Sequence, residues 1–175
     1  MWRASARDAV HHVETGSTND DVRTLARAGA PHGTWVVADR QTAGRGRLGR
    51  VWEGAPEQGL ALSVLLRPRL PPTQVPLLCL AAAEVVAALH PSLRIKWPND
   101  VLLPDGRKVA GILAEAEMEA AGMVVALGVG INVHGAPPLP TAGALCELPA
   151  DWSRAKVATH VVEGLLQWCE RLADE

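Results

Sequence analysis

The segment Gly44-Arg-Gly-Arg-Leu-Gly-Arg50 sets three glycines and three arginines within seven residues. Backbone that carries no Cβ lets N–H groups come close to an anion. Guanidinium forks grip phosphate or carboxylate oxygens in pairs. Trp52, two residues on, adds a planar face on which a base could stack. The segment formally matches the dinucleotide pattern G-x-G-x-x-G, but that pattern needs a helix opening inside it so that pyrophosphate meets the helix N-terminus. Here Gly49 is followed by Arg-Val-Trp-Glu-Gly-Ala-Pro, which will not start one, and no phosphate-binding G-x-x-x-x-G-K-[ST] occurs anywhere. A solvated loop, or an arginine–glycine contact with RNA, would use the same residues. The net charge of −2 argues against the RNA reading.

Three further segments hold reactive groups. Lys96-Trp-Pro-Asn-Asp100 delivers a cation and then two polar side chains at a strand mouth, although Pro-Asn-Asp is also ordinary turn chemistry. In Gly106-Arg-Lys-Val-Ala-Gly-Ile-Leu113, Lys108 opens a strand and Gly111 leaves room beside it. Only three of the seventeen basic side chains are lysines, and two of them, Lys96 and Lys108, fall in these short motifs. Lysine is a compact point charge suited to a ligand phosphate or carboxylate. Gly128-Val-Gly-Ile-Asn-Val133 puts glycines inside a strand, which signals close contact or a bulge, with Asn132 at its end.

The elements that must position these groups follow from local signals. A helix is expected over Asn19–Ala28, capped by Ser17 or Thr18 and stopped by Gly29. Strands are expected at Thr34–Asp39 and Gly59–Leu66, with Arg40–Trp52 irregular between them. Thr73–Leu89 is apolar almost all round and reads as a buried helix, with Pro76 in its tolerant first turn. Short strands at Leu93–Trp97 and Val101–Leu103 precede Arg107–Met118, across the hairpin signal Pro104-Asp105-Gly106. A long strand over Gly122–Val133, a proline-rich loop over His134–Asp151 and an amphipathic helix over Ser153–Ala173 complete the chain. Tight turns force antiparallel neighbours, so the fold class is α+β, with a mixed, mostly antiparallel sheet flanked by helices.

The 175 residues suit one domain able to bury its own core, and 48% apolar against 21% charged residues describe a globular chain. The small net charge leaves no polybasic field for nucleic acid or anionic lipid. Cys79, Cys146 and Cys169 are scattered and unpaired in motif, and they read as reduced, mostly structural thiols of a cytoplasmic protein. The N-terminal MWRASARDAVHHVE lacks the apolar stretch of a signal peptide, and no run reaches the length of a membrane span.

Taken together, Ser17-Thr-Asn19, Gln41-Thr-Ala-Gly-Arg-Gly-Arg-Leu-Gly-Arg-Val-Trp52, Lys96-Trp-Pro-Asn-Asp-Val101, Lys108-Val-Ala-Gly-Ile-Leu113 and Gly128-Val-Gly-Ile-Asn132 resemble, in order and spacing, the biotin–protein ligases. The resemblance implies a fold like that of class II aminoacyl-tRNA synthetases and biotin ligases. It implies activation of biotin by ATP with Mg²⁺ to biotinyl-5′-AMP, then transfer of biotin to a lysine of a biotin carboxyl carrier protein domain. Carried over by position, Ser17, Thr18, Asn19 and Gln41 would line the biotin ureido end. Gly44, Arg45, Gly46 and Arg47 would wrap the carboxylate and α-phosphate, with Lys108 between them and Gly111 leaving space. Arg45, Arg47 and Lys108 would be the catalytic cations. Arg50, Trp52 and Asn132 would hold the adenine nucleotide, and Asn99 and Asp100 would serve the ATP–Mg²⁺ side. No protein-bound metal site is expected.

Only sixteen residues precede Ser17, so an N-terminal helix-turn-helix domain is expected to be absent, as is the small C-terminal β-barrel of many family members. A homodimer is the expected assembly, since closed two-fold dimers are the commonest. Two other functions remain open at this point. Lipoate or octanoate ligases and transferases share the fold in outline, though a transferase needs a nucleophilic cysteine. A biotin-binding module without turnover would keep the recognition residues alone.

Overall fold

A computed structural model describes residues 9–55, 57–120 and 122–173. The signal-peptide reading falls largely on residues 1–8, which lie outside the described residues. The elements run β1 (Ala9–Thr15), α1 (Thr18–Arg27), β2 (Trp35–Gln41), β3 (Gly59–Leu66), α2 (Val75–Ala87), β4 (Arg94–Lys96), β5 (Asp100–Leu102), β6 (Lys108–Glu119), β7 (Gly122–Asn132) and α3 (Arg154–Ala173). Short 3₁₀ turns sit at Arg47–Gly49, Pro72–Gln74 and Leu145–Glu147. The strands form one sheet in the order β1-β2-β3-β7-β6-β5-β4, and every neighbouring pair is antiparallel except β1 with β2. The α+β class with a mixed, mostly antiparallel sheet therefore holds.

Strand alternation sorts the side chains between two faces. Leu60, Leu62, Val64 and Leu66 of β3 and Val125, Leu127, Val129 and Ile131 of β7 face the main core, under α2 and α3. The opposite face carries a smaller cluster in which Val22 and Ala26 of α1 meet Val36, Leu65, Val124 and Ala126. Because α1 is only ten residues long, it covers one end of that face. The other end, over β7, β6 and β5, is left for the glycine–arginine segment.

The structure corrects the expected element list in three places. β1 was not foreseen, because AVHHVET mixes two histidines and a glutamate into an edge strand whose apolar alternation is weak. Arg40–Trp52 is not wholly irregular: β2 runs on to Gln41, paired with Thr15 of β1, and the segment beyond it closes on itself. α1 begins at Thr18 with Ser17 as its extended N-cap, yet the Ser17 hydroxyl makes no capping bond.

Candidate active site

Registers across the sheet explain the glycines. Ala61 of β3 pairs with Gly130 of β7, Gly130 with Gly111 of β6, and Gly111 with Asp100 of β5. This row presents almost no side chain until Asp100. In the next row, Ser63–Gly128–Leu113, Gly128 leaves a gap between two side chains. A Cβ on Gly130 would stand 2.3 Å from the Trp52 ring, one on Gly111 3.0 Å from it, and one on Gly128 2.5 Å from the Asn19 amide oxygen. The glycines are therefore a floor on which Trp52 and Asn19 lie.

The flap from Gly44 to Trp52 closes over this floor as a small loop of its own. Arg45 and Val51 bridge antiparallel, Gly46 N–H donates to Arg50 C=O (2.7 Å), and Trp52 N–H donates to Gly44 C=O (3.0 Å). Gly44 is held so close to the Trp52 carbonyl that a Cβ would stand 2.5 Å from it. Between flap, floor, the N-terminus of α1 and the β4–β5 hairpin lies a cavity of about 330 Å³. Ser17, Thr18, Asn19, Gln41, Arg45, Gly46, Arg47, Arg50, Trp52, Asn99, Asp100, Lys108 and Gly111 all line it. Gly44 lies outside the lining as part of the flap's own hydrogen-bonded base. Asn132 lies outside it too: it is buried, and its amide donates to Gly143 C=O (3.0 Å) and Lys108 C=O (3.4 Å), pinning the loop that abuts the start of β6.

One end of the cavity is polar and closed. Gln41 Oε1 accepts from the Thr18 backbone N–H (2.8 Å), capping α1 from β2, and lies 3.1 Å from the Thr18 hydroxyl. Ser63, fully buried in an otherwise apolar strand, sits 2.7 Å from Thr18 Oγ1 and 2.6 Å from Asn19 Oδ1. The Asn19 amide nitrogen donates to Glu115 (2.8 Å) and to Leu113 C=O (3.4 Å). Sequence reasoning missed Ser63, whose one signal was a lone polar residue in GLALSVLL, and the acidic residues Asp20 and Glu115.

The other end is cationic. Lys108 Nζ lies 2.6 Å from Asp100 and 5.3 Å from the Trp52 ring centre. Arg47 donates to the Asn99 side-chain amide oxygen (3.2 Å), while Asn99 itself is fastened through its amide nitrogen and its backbone C=O to the backbone of Ile112. Arg50 and Lys96 stand exposed on the lining. Arg45 differs: both of its terminal nitrogens bind Asp20 (2.7 and 2.8 Å), and one also reaches Glu115 (3.1 Å). Its hydrogen bonds hold the Asp20 carboxyl below its usual range. Among the described residues no three metal-binding side chains cluster, and no helix is long and apolar enough to cross a membrane. All three cysteines are free thiols; burial pushes Cys79 up and Cys169 up to about 11.

Residues 15–132 match the model of the biotin/lipoate A/B protein ligase family. The chain is 42% identical over 134 residues to the bifunctional ligase/repressor BirA of Bacillus subtilis, covering 73% of this chain and 41% of that protein. It is 40% identical over 173 residues to the biotin–[acetyl-CoA-carboxylase] ligase of Mycobacterium tuberculosis, covering 89% of this chain and 63% of that one. Among solved structures, the biotin protein ligase from Aquifex aeolicus in complex with biotin and ATP superposes with a TM-score of 0.76 at 32% identity, over 97% of this chain and 73% of that one. The chain thus spans roughly two fifths to two thirds of the length of these two curated relatives. A match running from the β1–α1 turn through β7, with every motif of the cavity inside it, shows that this chain belongs to the biotin/lipoate A/B protein ligase family.

Proposed function

We propose that the cavity binds biotin and MgATP, forms biotinyl-5′-AMP, and passes the biotinyl group to a lysine of a biotin carboxyl carrier protein domain. The observation that carries this reading is the meeting of two unlike ends in one cavity: the neutral polar Ser17–Thr18–Gln41 end and the cationic end of Arg47, Arg50 and Lys108. A neutral, hydrogen-bonding ring with an acid tail fits the first end and points its carboxylate at the second. The Aquifex aeolicus neighbour is described as a complex with biotin and ATP, which supports the same pairing here.

In the first step a biotin carboxylate oxygen attacks the α-phosphorus, the bond to the β-phosphate breaks, and pyrophosphate leaves. Two anions must approach, so neutralisation and alignment by fixed donors supply most of the acceleration. Lys108 and Arg47 are the donors assigned to the carboxylate–phosphate junction, with Arg50 and Lys96 toward the outer phosphates. Asp100 and Asn99 serve the Mg²⁺ that enters with ATP. Trp52 serves the adenine nucleotide, and Asn132 serves it indirectly by holding the loop against Lys108. In the second step a lysine amine attacks the carbonyl carbon, AMP departs with the bridging oxygen, and the amine loses a proton.

The reading carries with it one catalytic domain over the described chain, a cytoplasmic location and a homodimer, testable by fractionation and sedimentation. The decisive assay is pyrophosphate release in the presence of MgATP. Release with biotin and not with lipoate or octanoate is the expected result. Release with lipoate alone moves the chain to the other branch of its family, and no release with any acid overturns turnover altogether.

A further inference from the structure

Arg45 sits in the glycine–arginine flap with the other two arginines, yet its surroundings differ from theirs. Asp20, one residue after Asn19 on α1, takes both of its terminal nitrogens, and Glu115 on β6 takes one of them again. Glu115 in turn accepts from the Asn19 amide (2.8 Å), whose oxygen is met by Ser63 Oγ (2.6 Å). A continuous chain, Ser63–Asn19–Glu115–Arg45–Asp20, thereby joins the buried floor of the cavity to the base of the flap. Arg47 is held by a neutral amide instead, and it projects from the flap tip.

We propose that Glu115 and Asp20 are positioning residues that fasten the flap through Arg45, with Glu115 coupling flap closure to the orientation of Asn19. Arg45 is accordingly a latch, and the grip on the substrate anion belongs to Arg47 and Lys108. Two carboxylates already satisfy the terminal nitrogens of this guanidinium, so an incoming carboxylate would have to displace them. Asn19 is a latch component for the same reason, since both ends of its amide are engaged by protein. A paired network of this kind is coupled, so its members act together.

The latch is tested first without any ligand, by hydrogen exchange of the flap amides in the full chain. Glu115→Gln, Asp20→Asn and Arg45→Gln should each speed exchange at the Gly46 and Trp52 amides by about tenfold or more, with core amides of β3 and β7 unaltered as the folding control. The double variant Arg45→Gln/Glu115→Gln should be no faster than either single one. Unchanged exchange in the single variants, or additive effects in the double one, overturns the latch. The second half rests on the proposed function and is read by kinetics with biotin: Glu115→Gln should raise KM by about tenfold with a smaller change in kcat, whereas Arg47→Ala should act on kcat. If Arg45→Gln instead abolishes kcat while Glu115→Gln leaves KM untouched, Arg45 grips the anion and the latch is wrong. Absence of all biotin turnover would sink the proposed function while leaving the exchange result to decide the latch.

Discussion

Lys108 and Arg47 line the same cavity from different supports. Lys108 stands at the first position of β6, its backbone fixed by Thr141 and Gly143, its ammonium set between Asp100 and the Trp52 ring. Arg47 comes from the flap and is steered by Asn99. Lys108→Ala and Arg47→Ala should each slow adenylate formation by about 10²–10³-fold, in the range found when one oxyanion-stabilising donor is removed. Single-turnover pyrophosphate release reads this directly, and wild-type rates in both variants would refute the roles. Gly130 offers a second test at this scale. A methyl group there would overlap the Trp52 ring at 2.3 Å, and overpacking of this kind costs about 1–3 kcal/mol. Gly130→Ala should lower the melting temperature and weaken nucleotide binding together, because Trp52 must leave its seat; an unaltered melting curve would contradict the packing argument.

In the proposed reaction the flap is the element on which turnover would depend. An acyl-adenylate hydrolyses readily, and a covering loop whose exposed tip tightens around ligand would keep water away. The flap has few apolar anchors of its own: Leu48 and Val51 are 90% and 72% exposed, and Arg47 and Arg50 are exposed as well. Trypsin should therefore cut at Arg47 and Arg50 in the ligand-free protein, and biotin with ATP should suppress cleavage. Equal cleavage in both states, followed by mass spectrometry of the fragments, would reject the lid. β6 is the second element of consequence. Its outward positions carry Gly111, Leu113, Glu115, Glu117 and Glu119 in turn, so one strand supplies the floor, the latch and the ion pairs of Glu117 with Arg23 and Arg27.

At the scale of the molecule, the larger core lies on the face away from the cavity, under α2 and α3. That leaves the cavity face free to carry glycines, buried polar groups and a loop without loss of the main apolar burial. The thiols report on this arrangement. Cys79 and Cys169 are buried with raised pKa values, whereas Cys146 is exposed. Since the thiolate is the reactive form, brief alkylation of the native protein near neutral pH should label Cys146 first and the other two only after unfolding. Rapid labelling of Cys79 or Cys169 in the folded state would mean that the α2–α3 layer opens readily. The same arrangement argues against a cysteine nucleophile of the octanoyl-transferase kind, as neither buried thiol reaches the cavity.

Much of this was already legible in the chain. The runs TWVVAD, GLALSVLL and GMVVALGVGINV gave the central strands, since β-branched and aliphatic stretches bounded by glycine or proline have few other folds available. The turn Pro104-Asp105-Gly106 gave the β5–β6 hairpin, with Gly106 at φ +89° as such a turn requires. The family resemblance carried by the motifs named about half of the residues that line the cavity. β1 was hidden because it is an edge strand held by pairing with β2, and its own side chains alternate only weakly. Ser63, Asp20 and Glu115 were hidden for a deeper reason. Their partners lie between 25 and 96 residues away in sequence, so only registers between strands and the seating of α1 bring them together. Sequence alone determined most of the groups that could do chemistry and the central strands and helices, because those follow from side-chain type and local period. Tertiary structure alone decided which arginine is bound to carboxylates and which is held by a neutral amide, because a charge's role depends on the neighbours that fold around it.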